Sequence, residues 1–374
     1  MKDLVTSLND FFVLSGIYSL SLGSFLMILI ACILLFLAIS KGFEPLLLIP
    51  IGFGMLLSNL PNSDIFSEGG LINFFYFGVK FGIFPPLIFM GIGALTDFSP
   101  LISNPKTILL GAAAQFGIFT TLLGSIYLGF NLSQSAAIGI IGGADGPTAI
   151  YTASKLAPEL IGPIAVAAYS YMALVPVIQP PIIKALTTRE ERSREMEVPP
   201  PTNQKILILF PIITTIFTGL LLPSAIPLIG MLMLGNLFRE SRVVERLVKT
   251  TGNSLLNIIT IFLGVSVGAS MTSESFLKWE TIGILLLGLF AFAIGTATGV
   301  IFGKLMSFFS KTPINPMIGA AGVSAVPMSA RVVQKIGLDE NPKNFLLMHA
   351  MGPNVAGVIG SAIAAGLLIS LIQN

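Results

Sequence analysis

One acidic residue, Asp145, lies in the run Gly142-Gly143-Ala144-Asp145-Gly146-Pro147-Thr148, and no other charged residue occurs between Lys106 and Lys155. An ionisable group in so apolar a stretch is costly and by default marks an ion or proton path. The glycines and the proline would interrupt a helix, and broken backbone at membrane depth is tolerated only where it lines a cavity. Because burial away from water favours the neutral acid, Asp145 could exchange a bound cation for a proton.

A second segment rich in glycine and proline, 315–331, supplies further polar oxygens. Sodium, like other hard cations, takes oxygen ligands from carboxylates, amides, hydroxyls and unwound carbonyls. Asp145, Asn315 and Ser324 with freed carbonyls form a candidate ligand set, and Asn354 adds an amide beside another break. The alternative is that Asn315 and Ser324 cap half-helices and that Asp145 caps its own.

Two further kinds of side chain could act on a substrate or on a proton. Arg331 is a permanent cation that ends an apolar segment, and its five N–H donors suit a carboxylate ligand. The alternative is an arginine that extends to the membrane interface. Tyr169 and Tyr171 carry phenols that could donate or relay a proton, whereas aromatic residues of the interfacial belt are the commoner explanation.

The composition places all of these residues in a membrane. Of the 374 residues, 54% are hydrophobic and 10% are charged, and the mean hydropathy is +0.90. Soluble domains carry about 25% charged residues. Apolar windows of membrane-spanning length recur along the chain, and the short alternating segments of a transmembrane β-barrel are absent. The predicted fold class is an all-α polytopic membrane protein, with several spans interrupted by glycine or proline into bent or re-entrant segments.

Several classes of function are excluded by the residues that the sequence lacks. One cysteine, Cys32, and one histidine, His349, cannot supply the usual ligands of a zinc site. No phosphate-binding loop or nucleophile elbow is present, so any active transport must draw on a source other than ATP. The net charge of +2, without a basic cluster interleaved with aromatic residues, predicts no nucleic-acid partner.

The charged loops indicate which ends of the spans face the cytoplasm. The segments 187–205 and 239–249 are rich in arginine, and two apolar stretches separate them, so both can lie on the cytoplasmic side. The segment 61–71 contains acidic residues without lysine or arginine and is predicted to face the exterior. Residues 1–12 are predicted to form a short interfacial helix before the first span.

The chain also contains two similar halves. At an offset of about 180 positions, five residues or pairs recur in the same order: Ile138-Gly139, Gly142, Pro147, Lys155 and Val175 match Ile318-Gly319, Gly322, Pro327, Lys335 and Val355. We expect the interfacial helix and first span in 1–40, one repeat in 41–187, a cytoplasmic linker in 188–205 and the second repeat in 206–374. If each half crosses the membrane an odd number of times, the halves are inverted, and discontinuous helices meet at the midplane to bind substrate and coupling ion.

Three motifs resemble the β subunit of sodium-pumping, biotin-dependent decarboxylases: residues 142–150, residues 315–328 and residues 352–357. This family includes the methylmalonyl-CoA, glutaconyl-CoA and oxaloacetate decarboxylases, and the resemblance covers nearly the whole chain. It implies a multi-pass subunit of the inner (plasma) membrane that decarboxylates carboxybiotin, consumes a proton and exports Na+. It also implies an elevator-like movement of a core against a scaffold and a homotrimer of this subunit.

The resemblance further implies roles for single residues and a set of partners. Asp145 becomes the sodium and proton site, with Asn315, Gly319 and Ser324 around the ion path. Tyr171 and Arg331 match positions tied to proton supply and to the handling of carboxybiotin. The implied partners are a carboxyltransferase α subunit, a biotin carboxyl carrier protein, a small membrane anchor subunit and membrane lipid. The alternative function, of a different class, is a stand-alone secondary transporter that exchanges Na+ for protons or for an organic anion.

Overall fold

The computed structural model describes residues 16, 18–63, 65, 67–197, 201–310 and 314–373. Throughout these residues the chain is helical or irregular, without β-strand, as the all-α prediction requires. The predicted interfacial helix at 1–12 lies outside the described residues.

The first part of the chain, up to the arginine-rich loop, forms ten α-helices among its described residues. They are α1 (Leu22–Lys41), α2 (Pro45–Asn59), α3 (Leu71–Lys80), α4 (Phe84–Leu95), α5 (Ser99–Ser103), α6 (Ile108–Ala114), α7 (Phe116–Tyr127), α8 (Leu132–Gly139), α9 (Gly146–Leu156) and α10 (Ile161–Leu186). A 3₁₀ turn, Ile140–Gly143, continues α8 toward the break before α9.

The loop and the second part add a further nine α-helices among the described residues. They are α11 (Arg189–Arg192), α12 (Gln204–Leu221), α13 (Ile226–Ser241), α14 (Glu245–Lys249), α15 (Leu256–Ala269), α16 (Ser273–Phe276), α17 (Trp279–Phe309), α18 (Met328–Glu340) and α19 (Leu347–Gln373). A π-helical turn, Thr250–Leu255, joins α14 to α15, and a 3₁₀ segment, Pro316–Gly322, precedes α18.

Many of these helices are suited to a membrane. Within the described residues, six helical segments are long and apolar enough to cross a bilayer, and the number rises to eight if two bent helix pairs each form one span. One of those pairs is α3 with α4, which meet at 72°. Large apolar side chains are exposed along α1, α12 and α17, as expected for faces that contact lipid. The chain is therefore a polytopic helical membrane protein.

Two pairs of helices cross between the halves of the chain with matching contacts. Helix α2 packs on α15, and helix α13 packs on α4. At one crossing the amide of Asn59 donates to the carbonyl of Met271 at 2.8 Å, and at the other the amide of Asn236 donates to the carbonyl of Thr96 at 3.1 Å. Asn59 ends α2, and Asn236 lies five residues before the end of α13. Both helices pass close to glycines of their partners, so the two crossings resemble each other.

Two hairpins return to the end of the molecule at which they begin. The first hairpin consists of α8 and α9. Its open end, where α8 begins and α9 ends, is closed by a hydrogen bond of 3.0 Å from Gln134 in α8 to Glu159, just after α9. In the second, the 3₁₀ segment and α18 are joined through the loop: Asn315 donates to the carbonyl of Arg194 at 2.9 Å, and Asn341 donates to the carbonyl of Ser193 at 3.2 Å. Each hairpin therefore has a break in its interior and both of its ends on one side.

The two hairpins open at opposite ends of the molecule. The long helix α19 shows this, since its start contacts the second hairpin and its end contacts the first. At its start the N–H of Leu347 donates to the Gln334 side chain of α18 at 2.6 Å. At its end the side chain of Gln373 donates to the carbonyl of Lys155 in α9 at 3.1 Å. The interior breaks of both hairpins therefore face each other from opposite directions.

The predicted cytoplasmic loops lie at one end of the molecule. The side chain of Gln204 donates to the carbonyl of Glu240 at 2.7 Å, so the ends of segments 187–205 and 239–249 are in direct contact. This contact agrees with the prediction that both segments lie on the same side. Arg192 donates to Glu340 at 2.7 Å and holds the pKa of that carboxyl below its usual range. This ion pair fastens the loop to the open end of the second hairpin.

Candidate ion site

Asp145 lies at the break between the 3₁₀ turn and α9. Ala144, just before it, has a left-handed backbone with φ of 54°, which turns the chain and leaves Asp145 as the N-cap of α9. Its Oδ1 accepts from the N–H of Thr148 at 3.1 Å, and its Oδ2 accepts from Oγ of Ser361 in α19 at 2.6 Å. The side chain is only 4% exposed. Asp145 thus caps its half-helix and joins two distant parts of the chain.

Glycines beside Asp145 allow this close packing. A Cβ on Gly142 would lie 2.7 Å from Oγ1 of Thr121, and closer still to the carbonyl of Gly117 in α7. A Cβ on Gly146 would lie 2.7 Å from Cζ of Tyr169, which covers the first turn of α9. Because real Cβ atoms do not approach so closely, only glycine fits at these two positions.

The two broken segments meet at Ser324, as the repeat predicts. Its Oγ donates to the carbonyl of Gly143 at 2.7 Å, and its N–H donates to the same carbonyl at 3.1 Å. The hydroxyls of Ser324 and Thr148 also lie beside the carboxylate of Asp145, although Oγ1 of Thr148 makes no hydrogen bond of full geometry in the described part of the chain. The second hairpin therefore contributes a hydroxyl and a backbone junction directly to the surroundings of Asp145.

Asn354 faces the same junction from α19. Its Nδ2 donates to the carbonyls of Ala321 at 2.8 Å and Val323 at 2.9 Å, so the last turn of the 3₁₀ segment fixes its orientation. Its Oδ1 is buried and, among the described residues, has no hydrogen-bond partner. Seven residues, about two helical turns, separate Asn354 from Ser361, so both lie on one face of α19.

Asn315 has a different use in the structure. Its Oδ1 accepts from the N–H of Met317 at 3.1 Å, and its Nδ2 donates to the carbonyls of Arg192 at 3.2 Å and Arg194 at 2.9 Å. These bonds make it the cap of the 3₁₀ segment and a tie to the loop, in line with the capping alternative. No contact joins its side chain to Asp145 in the described chain, so its place in the ligand set remains a prediction.

Gly319 lies between the 3₁₀ segment and α17. A Cβ there would lie 3.2 Å from the N of Val300 and closer still to the carbonyl of Gly299. The position therefore serves close backbone packing, and a role in the ion path stays a prediction.

The two tyrosines of α10 point to different neighbours. The Tyr171 hydroxyl donates to the carbonyl of Leu285, and its ring packs on Gly288, so it contacts α17. Tyr169 is 1% exposed and packs on Gly146, and its hydroxyl has no partner in the described residues. The structure therefore brings Tyr169, rather than Tyr171, against the turn that holds Asp145.

Arg331 lies in the first turn of α18, four residues after the break at Pro327. Its side chain is exposed, and it forms no ion pair within the described part of the chain. An unpaired guanidinium next to an interior break is free to bind an anionic ligand.

The chemistry of this site follows from its donor set. Among the described residues, Asp145 has no cationic partner, and its neighbours are the hydroxyls of Ser324, Thr148 and Ser361, with the carbonyl of Gly143 bonded to Ser324. Carboxylate, hydroxyl and carbonyl oxygens are the ligands of hard cations. The Ser361 hydroxyl has a second acceptor, the carbonyl of Val358 at 2.9 Å, so its lone pair can turn toward an ion.

Sequence reasoning missed Ser361 and Thr148 as neighbours of Asp145. Ser361 carried one available signal, because it lies at helical spacing from Asn354 on the same face of α19.

Comparison with known proteins identifies the family. Residues 23–372 match the family model of the Na+-transporting oxaloacetate decarboxylase beta subunit. The chain belongs to this family. It is therefore a membrane subunit of a decarboxylase Na+ pump.

Individual relatives support the assignment over their full length. The chain is 57% identical to methylmalonyl-CoA decarboxylase subunit beta of Propionigenium modestum, with 98% of this chain and 100% of the relative covered. It is 57% identical to glutaconyl-CoA decarboxylase subunit beta of Acidaminococcus fermentans, with 100% and 99% covered. It is 53% identical to the oxaloacetate decarboxylase beta chain of Haemophilus ducreyi, with 96% and 97% covered.

The hydrogen bond from Ser361 to Asp145 yields a test. We expect Ser361→Ala to raise the Na+ concentration that half-activates decarboxylation by roughly tenfold, because a hydrogen bond to a charged group contributes about 1.5–3 kcal/mol. The measurement is the Na+ dependence of the purified complex. Ser125→Ala is the matched control, since Ser125 is equally buried and bonds only to backbone carbonyls. An unchanged Na+ dependence in Ser361→Ala would contradict the site.

Proposed function

We propose that Asp145 binds Na+ and a proton in alternation and thereby couples decarboxylation to sodium export. The observation that carries this proposal is the position of Asp145, a buried carboxylate without a cationic partner among the described residues, at the junction of both interior breaks. The surrounding hydroxyls can donate to the carboxylate or accept an ion, so neither state leaves them unpaired. Ser324 and Asn354 complete the sodium ligand set with freed carbonyls, and the predicted Asn315 and Gly319 support the segment that carries Ser324.

Carboxybiotin is the substrate in this proposal, and Na+ is the cargo. A biotin carboxyl carrier protein brings carboxybiotin to the cytoplasmic end, after a carboxyltransferase α subunit has loaded it. The exposed guanidinium of Arg331 would hold the carboxylate. Loss of CO2 leaves a biotin anion that takes up one proton, which Asp145 or Tyr171 supplies. The apolar surroundings disfavour the charged carboxylate relative to neutral CO2.

The energetic requirement of the pump is modest. Moving one elementary charge against 100 mV costs about 2.3 kcal/mol. A modestly downhill decarboxylation can therefore drive Na+ outward. The coupling is tightest if the proton reaches the biotin anion through the site that Na+ vacates. A shared carboxylate imposes this condition, because a bound proton and a bound Na+ compete for the same oxygens.

We further propose that the two halves of the chain are inverted repeats that move as an elevator-like core against a scaffold. The matched crossings of α2 with α15 and of α13 with α4 support a duplication. The opposite opening of the two hairpins supports the inversion. The repeat boundaries at 41–187 and 206–374 belong to this proposal, as do the homotrimer, the small membrane anchor subunit and the contacts with membrane lipid.

Asp145→Asn tests the coupling role directly. The amide keeps the shape and the N-cap acceptor but cannot be negatively charged, so we expect Na+ transport by the reconstituted complex to fall below detection. The measurement is radioactive sodium uptake into vesicles during turnover. Full Na+ pumping by Asp145→Asn would refute the assignment. Transport by the purified chain without its carrier protein would instead favour a stand-alone secondary transporter.

Arg331→Lys tests the role of the exposed guanidinium. Lysine keeps the charge but cannot form two parallel hydrogen bonds to a carboxylate, so we expect decarboxylation of carboxybiotin to slow by roughly tenfold or more. Na+ binding, measured as Na+-dependent thermal stabilisation, should stay near its original value. An unchanged rate of decarboxylation would favour the alternative, in which Arg331 only extends to the membrane interface.

A further inference from the structure

Gln115 is a buried amide at the break between α6 and α7. Its Nε2 donates to the carbonyl of Gly111 at 3.0 Å and to the carbonyl of Gly357 in α19 at 3.2 Å. Both donors of the amide are therefore used. Its Oε1 is buried and has no hydrogen-bond partner in the described part of the chain, and the whole side chain is only 6% exposed.

The amide of Gln115 lies close to Ser361, the residue of α19 that donates to Asp145. A Cβ on Gly360 would lie 3.0 Å from Nε2 of Gln115, so the side chain lies across the residue that precedes Ser361. One turn after Gln115, Ile118 packs on the break of the first hairpin: a Cβ on Gly143 would lie 3.1 Å from Cδ1 of Ile118. The same Cβ would lie 3.3 Å from Cβ of Ser361, the residue that binds Asp145.

Gln115 and Asn354 share one feature. In each amide both N–H donors are taken by backbone carbonyls, which fixes the amide and leaves its oxygen as a free acceptor. Gly357, which accepts from Gln115, lies three residues after Asn354 and four before Ser361. These spacings place all three on one face of α19, over a length of about 10 Å at 1.5 Å per residue.

Two free acceptors in one buried region need a donor or a cation, because an unpaired buried acceptor is costly. The region between them offers a carbonyl and no free N–H: a Cβ on Gly357 would lie 3.0 Å from the carbonyl carbon of Gly322 and closer to its oxygen. The N–H of Ser324, 3.4 Å from the same Cβ, already donates to the carbonyl of Gly143 at 3.1 Å. Acceptor oxygens alone suit a hard cation and disfavour an anion.

We propose that the amide oxygens of Gln115 and Asn354 hold Na+ on its route along α19, between the end of the molecule that carries the loop 187–197 and the carboxylate of Asp145. Gln115 is thus a further sodium-coordinating residue, on the path rather than at the titrating group. This inference rests on the proposed sodium function of Asp145. It adds a second position for Na+ along the two helical turns of α19 between Asn354 and Ser361.

Gln115→Leu in the complete decarboxylase complex provides the test. Leucine keeps much of the volume and removes the oxygen, so we expect the Na+ concentration for half-maximal decarboxylation to rise by roughly tenfold or more, with the saturated rate within about twofold. Thermal stabilisation of the purified complex by NaCl, measured without substrate, should shift to higher Na+ by a similar factor. Gln115→Met has a similar length and also lacks the amide oxygen, so it should raise the Na+ requirement by a similar factor.

The matched control is Asn236→Leu. Asn236 is also a fully buried amide with an unpartnered Oδ1, but its Nδ2 donates to Thr96 at the crossing of α13 with α4. We expect its Na+ dependence to match the unmodified complex. Unchanged Na+ dependence in Gln115→Leu, or an equal shift in Asn236→Leu, would overturn the inference. If Gln115→Leu fails to assemble, an unchanged Na+ requirement in Gln115→Met overturns it.

This outcome can be separated from failure of the proposed function. Loss of transport in Asp145→Asn together with unchanged Gln115→Leu would reject only the position at Gln115. Full pumping by Asp145→Asn would reject the sodium role of Asp145 itself.

Discussion

A buried carboxylate without a cationic partner among the described residues is the constraint on which this structure depends. Asp145 can stay in the interior only if hydrogen-bond donors replace water around it. One donor is the free N–H of Thr148 at the start of α9, and the other is the hydroxyl of Ser361 in α19. The first requires a broken helix, and the second requires a long helix to pass directly beside the break. The hairpin architecture satisfies both requirements.

The breaks in turn explain the small residues around the site. Broken backbone at membrane depth exposes carbonyls and N–H groups that lipid cannot satisfy, so other protein segments must approach closely. Gly142 approaches Gly117, and Gly357 approaches Gly322, with no space for a side chain at either contact. The second contact brings α19 to the second hairpin beside Ser324. The glycines therefore allow two hairpins from opposite ends to share one polar junction.

Local pattern was enough to predict the parts of the site whose signal lies within a short stretch of chain. The isolated acid among helix breakers predicted the break at Asp145, and the offset repeat predicted that the segment with Ser324 would face it. The arginine-rich segments predicted the shared end of the two loops. These features depend on residue type and spacing, which can be read without tertiary contacts.

Other parts of the site depend on contacts that no local pattern records. Ser361 binds Asp145 across 216 positions. Tyr169 and Tyr171 are two positions apart on one helix, so only the neighbouring helices decide which ring covers Gly146. Asn315 caps the 3₁₀ segment, which its position before Pro316 allowed the sequence to predict. It also donates to the carbonyls of Arg192 and Arg194, and these bonds depend on how the loop folds. Gln115 is a common residue type in an apolar stretch, so only its tertiary contact with α19 indicates a role for its side chain.

The central claim is that one carboxylate binds Na+ and a proton in alternation. It is tested most directly by adding NaCl to the purified complex in a weakly buffered solution, without substrate, and measuring proton release with a pH indicator. The account predicts saturable proton release on addition of Na+, none on addition of the same concentration of K+, and none in Asp145→Asn. Saturable Na+ binding without proton release would contradict it.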